Sequence, residues 1–128
     1  MAEVLVLAYA GCSTCKNALK WLEARGVRAR VRPIVDEPPT AAELARWIPA
    51  SGVGVRKWLN TSGQSYRALG KAKVDAASDA ELAKWLTADG KLVKRPVLVA
   101  ARARKGGGGD EVVLIGFKPE QYQALFPR

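Results

Sequence analysis

Histidine is absent from this chain, and cysteine occurs only twice, as Cys12 and Cys15. A zinc centre normally draws four ligands from cysteine, histidine and carboxylate side chains, so no metal site is expected within one chain. Two cysteines are also too few for a disulfide scaffold. No apolar run approaches the roughly 20 residues that a membrane-spanning helix requires, so no membrane association is expected. The opening Met1-Ala2-Glu3-Val4 runs directly into a strand-like segment with no basic region or cleavage site, and the expected location is cytoplasmic. Acidic residues are scarce: 12 Asp and Glu stand against 21 Lys and Arg, a formal charge of +9. That balance favours anionic partners, whether oxyanions, acidic proteins or nucleic acid. The basic residues are scattered rather than gathered into a tail, so the plainest meaning of the charge is a solvated cationic surface.

Hydrophobic residues make up 48% of the 128 positions and charged residues 26%, enough apolar material for one core and a single domain over residues 1–128. The apolar run Leu5-Val6-Leu7-Ala8 turns at Gly11 into an amphipathic helix that opens with Cys12-Ser13-Thr14-Cys15. A C-x-x-C at a strand-to-helix junction sets its first sulfur beside unpaired N–H groups and the positive end of the helix dipole, which favours thiolate. Cys15, one turn further in, stands where it can attack an adduct or mixed disulfide formed on Cys12. The bland alternative is two buried structural thiols, against which the turn residues Gly11, Ser13 and Thr14 argue for an accessible helix end. Ser13, Thr14 and the helix N–H groups together form a candidate anion cradle.

The first helix should end at Ala24-Arg25-Gly26 with Gly26 as a left-handed cap, and Val27 to Ile34 alternates as a second strand. Strand, helix and strand in succession form a βαβ unit with parallel strands and a right-handed connection. Asp36-Glu37-Pro38-Pro39 breaks the strand, and Thr40-Ala41-Ala42-Glu43 is a capping box for a helix carrying Leu44, Trp47 and Ile48. That helix closes at Ser51 to Val55, and a short turn follows over Arg56 to Leu59. The loop Asn60-Thr61-Ser62-Gly63 is a cap for the next helix or, alternatively, an anion-binding turn. Ser78 to Glu81 is a second capping box, for a helix with Leu82, Trp85 and Leu86 that ends near Asp89-Gly90. Val97 to Ala100 and Glu111 to Ile115 are the third and fourth strands, joined by a glycine-rich hairpin tip over Lys105 to Asp110. The glycine run lacks the lysine and following helix of a phosphate loop. Pro119 opens a last helix with Tyr122 and Leu125 facing inward, and the four tryptophans are core or half-core anchors.

This order, β-α-β, a helical block, X-Pro, then β-β-α with C-x-x-C after the first strand, resembles the thioredoxin superfamily. Tyr9 to Ala18, Pro38-Pro39-Thr40, Asn60 to Gly63 with Tyr66-Arg67, Leu92 to Pro96 and Val113 to Phe117 together resemble the arsenate reductase-like (ArsC) family, which also contains the Spx and MgsR regulators. The resemblance implies an α/β fold: a thioredoxin-like core over residues 1–35 and 91–128, a mixed four-stranded sheet, and a helical insertion over 36–90. It implies Cys12 as the nucleophile toward arsenate, Arg95 as an oxyanion-binding arginine, and a cis proline at Pro96. Three positions depart from the reductase pattern. Tyr9-Ala10-Gly11 replaces a His-Asn-Pro, Asn60 occupies a second arginine position of the oxyanion site, and Cys15 stands where cysteine is uncommon. Arg102 or Arg104 is the candidate for a third arginine, and Arg56 for the role left open by Asn60.

Three functions follow from the resemblance. The first is cytoplasmic reduction of arsenate to arsenite, with no bound cofactor and with glutaredoxin and glutathione, or thioredoxin, as the external thiol donor. The second is a redox-switched regulator that contacts RNA polymerase rather than nucleic acid directly. The third is a general thiol–disulfide oxidoreductase.

Overall fold

The computed structural model describes residues 3–103 and 109–127. Strand β1 (Glu3–Ala8) lies inside a four-stranded sheet, parallel to β2 (Arg28–Pro33) and antiparallel to β3 (Val97–Ala103), which pairs in turn with β4 (Gly109–Ile115). The order is β2-β1-β3-β4, a mixed sheet. Alternation along the strands divides the core in two. Val4, Val6, Ala8, Leu98 and Ala100 pack with α1 (Ser13–Ala24) and α6 (Pro119–Leu125) on one face. Leu7, Val97, Val99 and Val113 pack on the other face with α2 (Ala41–Ser51) and residues of the segment that follows it.

The βαβ unit closes as its sequence requires. Gly26 has φ +72°, its N–H donates to the carbonyl of Glu23, and that of Val27 donates to Leu22, so both free carbonyls of the last turn are satisfied. Val27 is therefore spent on the cap, and β2 begins one residue later than the alternation predicts. Arg32 then ties this edge strand to the helical block. Its guanidinium forms a two-pronged pair with Glu43 at 2.8 and 2.9 Å and donates to the carbonyls of Glu37 and Pro38. The Arg32 bonds, assisted by the backbone of Thr40, hold the Glu43 carboxyl below its ordinary pKa against the opposing effect of partial burial.

Both capping boxes are formed, Thr40 with Glu43 on α2 and Ser78 with Glu81 on α5 (Asp79–Ala88). Between α2 and α5 run a 3₁₀ turn (Val55–Trp58) and two short helices, α3 (Gln64–Leu69) and α4 (Lys71–Ala76). The expectation that Asn60 to Gly63 caps a helix through its side chains is corrected: Gly63 is the N-cap of α3, and no side chain bonds there. Trp47 and Trp58 are fully buried, whereas Trp21 and Trp85 are half-buried. Tyr122 is buried and Leu125 half-buried. Strand β3 extends beyond Ala100 to Ala103 and β4 begins at Gly109 rather than Glu111, so the hairpin is longer than its alternation suggests; residues 104–108 of its tip lie outside the described residues. Among the described residues no helix is long and apolar enough to cross a membrane.

The segment leading into β3 is fixed by a close approach. A 3₁₀ turn (Gly90–Leu92) passes so near the end of β2 that a Cβ on Gly90 would lie 1.9 Å from the carbonyl oxygen of Ile34. Gly90→Ala must displace backbone, and urea unfolding should show a loss of at least about 2 kcal/mol. Gly54→Ala, with nothing within 4 Å of the added carbon, should stay within about 0.5 kcal/mol of the parent.

Candidate active site

The carboxyl end of β1 delivers the chain to α1 through Tyr9, Ala10 and Gly11, all exposed. Cys12 is the N-cap residue of α1, in extended conformation at φ −95° and ψ 114°. Its sulfur takes the place that a serine or aspartate oxygen fills in most helices, accepting the Cys15 N–H at 3.3 Å. Its own N–H donates to the Tyr9 carbonyl at 3.0 Å, and its carbonyl accepts from the Lys16 N–H at 3.1 Å. The first turn of α1 carries no acidic residue, so nothing there offsets the positive end of the dipole.

The two sulfurs stand in different surroundings. Cys12 is half-buried, and burial works against its ionisation. Bonds from the Cys15 side chain and N–H, together with the Arg95 guanidinium, outweigh that cost and bring its pKa below the ordinary thiol value. Cys15 is 1% exposed among Val4, Val6, Ala18, Leu22 and Tyr122. Burial first, and then the neighbouring Cys12 sulfur, push the Cys15 thiol up to about 12. The arrangement is one sulfur whose ionisation is favoured and one held protonated at neutral pH, both free rather than disulfide-bonded.

Arg95 reaches this sulfur from the loop before β3. The Arg95-Pro96 peptide is cis, Pro96 is buried, and its carbonyl accepts the Gly116 N–H at 2.9 Å. The preceding residues are braced by ladder-like bonds: Lys94 N–H to Trp58, Asn60 N–H to Leu92, and a bridge between Leu59 and Val93. The Arg95 guanidinium carbon sits 4.8 Å from the centroid of the Tyr9 ring. Its Nη1 is buried and has no hydrogen-bond partner among the described residues. A buried, charged donor without a partner is costly, and an anion bound beside Cys12 would satisfy it.

Cys12, Cys15 and Arg95 thus come together, with Pro96 next to Arg95 in the loop before β3 and Ser13 and Thr14 exposed on the first turn of α1. The other expected residues are placed differently. Asn60 directs its side-chain amide to the Lys91 carbonyl at 3.4 Å. Arg56 donates to the carbonyls of Val74 and Ala77 at the end of α4, at 3.1 and 2.6 Å, and so is already engaged as a helix cap. Arg102 lies on the far side of β3, beyond Ala100, which pairs with Val4, whereas Val97 pairs with Leu7 near Cys12. At the usual strand rise its backbone is on the order of 17 Å from the Val97 end. Arg104 lies outside the described residues. In the sequence Tyr9 belongs to the ArsC-like stretch and also departs from the reductase pattern; its ring contact with Arg95 has no signal there beyond an aromatic residue just ahead of the C-x-x-C.

The sequence profile of the ArsC family matches residues 7–125. The chain belongs to the ArsC family. Among its relatives, the YusI protein of Bacillus subtilis is 36% identical over 116 residues, covering 90% of this chain and 91% of the relative. An arsenate reductase of Escherichia coli is 27% identical over 128 residues, covering 100% and 89%. The crystal structure of an ArsC family related protein from Bacteroides fragilis superposes with a TM-score of 0.84 at 42% identity, covering 95% of this chain and 96% of that one. As an ArsC family member the chain has the thioredoxin-like fold expected of it, with the cysteine pair at the start of α1.

If the guanidinium supports the Cys12 thiolate, Arg95→Gln should slow iodoacetamide alkylation of Cys12 at neutral pH by roughly tenfold while leaving the rate at high pH near that of the parent. A parallel drop at every pH would instead indicate lost access to the sulfur.

Proposed function

We propose that this protein reduces arsenate to arsenite, with Cys12 as nucleophile, Cys15 as resolving thiol and Arg95 as the oxyanion-binding cation. The observation that carries this reading is the buried, unpartnered Nη1 of Arg95 beside a thiol whose pKa is lowered. Ser13, Thr14 and the N–H groups at the start of α1 add donors beside the sulfur.

The chemistry balances as a two-electron exchange. The Cys12 thiolate attacks arsenic(V), forming an S–As bond as an arsenate hydroxyl takes up a proton from solvent and departs as water. The Cys15 sulfur then attacks the Cys12 sulfur. The S–As bond breaks, arsenic keeps the bonding pair and leaves as arsenite, an oxygen of which takes the Cys15 proton, and Cys12 and Cys15 become a disulfide. The Cys12 sulfur contributes to keeping Cys15 protonated, so consuming its charge in the S–As bond removes part of what opposes Cys15 ionisation. An external thiol donor, glutathione with glutaredoxin or thioredoxin, returns the pair to the dithiol.

Arsenate-dependent NADPH oxidation, coupled once to glutaredoxin and glutathione and once to thioredoxin, tests the reading. Turnover is expected with at least one donor, with loss of more than about a thousandfold in Cys12→Ser and loss of thioredoxin-coupled turnover in Cys15→Ser. Absence of turnover with both donors, alongside reduction of a glutathione mixed disulfide, would replace arsenate reduction with general thiol–disulfide exchange.

A further inference from the structure

Arg95 has no carboxylate partner among the described residues and its Nη1 is unpartnered, yet its guanidinium stands beside Cys12. An arginine side chain loses rotamer entropy when it is held in one place, so something must hold it. A carboxylate partner would do so at the expense of its charge and of two donors. An aromatic face holds a guanidinium through its π electrons and leaves both the charge and the edge donors free.

We propose that Tyr9 is the positioning residue of this site: its ring carries Arg95 over the Cys12 turn and keeps the guanidinium donors available to the sulfur and to an incoming anion. Three contacts support the assignment. The guanidinium carbon is 4.8 Å from the ring centroid, within the range of a cation–π contact. The Tyr9 carbonyl accepts the Cys12 N–H at 3.0 Å, so one residue anchors both the turn that bears the sulfur and the cation that faces it. Gly11 gives the ring its room: a Cβ there would meet Tyr9 Cε2 at 3.0 Å, closer than ordinary van der Waals contact. Tyr9 is 40% exposed, so its ring is not fixed by burial in the core. Among the described residues the Tyr9 hydroxyl makes no hydrogen bond, so phenylalanine should serve equally.

The inference rests on Cys12 being the nucleophile, but its test needs no arsenate. The rate of Cys12 alkylation is followed by mass spectrometry as a function of pH in the parent, Tyr9→Phe, Tyr9→Leu, Arg95→Gln and the Tyr9→Leu/Arg95→Gln double variant, with circular dichroism to verify folding. Tyr9→Phe should match the parent. Tyr9→Leu, which keeps bulk and loses the π face, should be about threefold slower at neutral pH with its curve moved to higher pH. In the Arg95→Gln background the same change should have no further effect. An unchanged Tyr9→Leu, or an equal loss in both backgrounds, would overturn the assignment and make the ring a packing element of the turn alone. A parent Cys12 as sluggish as free cysteine would overturn the nucleophile reading, and this inference with it.

Discussion

The N–H of Cys15 points at the sulfur of Cys12 across 3.3 Å, and that contact joins the end of β1 to the first turn of α1. A serine there would give the same cap and no chemistry. A cysteine makes the helix end stabilise a thiolate, because the same N–H that caps the helix favours the charged sulfur. The rest of the fold serves this contact. The inner position of β1 in the sheet fixes where α1 begins, and the braced loop before β3 brings a guanidinium to the open side.

The asymmetry of the two thiols follows from their position on the helix. Cys12 lies at the end of α1, reached by solvent and by Arg95, whereas Cys15 faces inward against Tyr122 and Leu22. The same spacing that places both sulfurs within one turn therefore separates their ionisation. Such a pair is suited to attack by one member and delayed attack by the other. In the proposed reaction, the charge lost from Cys12 on forming its adduct is the signal that readies Cys15.

Much of this was legible in the sequence because it is local. The C-x-x-C at a helix start, Gly26 in the left-handed cap, the two capping boxes and the alternating strands each follow from a few neighbouring residues. What escaped depends on distant partners. Arg56 reads as a free cation until α4 supplies the carbonyls it caps, and Arg102 as a candidate ligand until the register of β3 sends it to the other end of the sheet. The helices α3 and α4 lack polar caps, with Gly63 and Gly70 at their starts, so no signature announces them. Tyr9 lies beside the cysteine motif, but its importance rests on an arginine near the other end of the chain, and no spacing rule links the two.

The account stands on Cys12 ionising well before Cys15, and a ¹³C NMR titration of the two cysteine Cβ signals in the reduced protein reads both sulfurs at once. The Cys12 signal should titrate at a pH clearly below that of an ordinary thiol, with Cys15 unchanged until the strongly alkaline range near 12. Two signals that titrate together at the ordinary thiol pH would contradict the account.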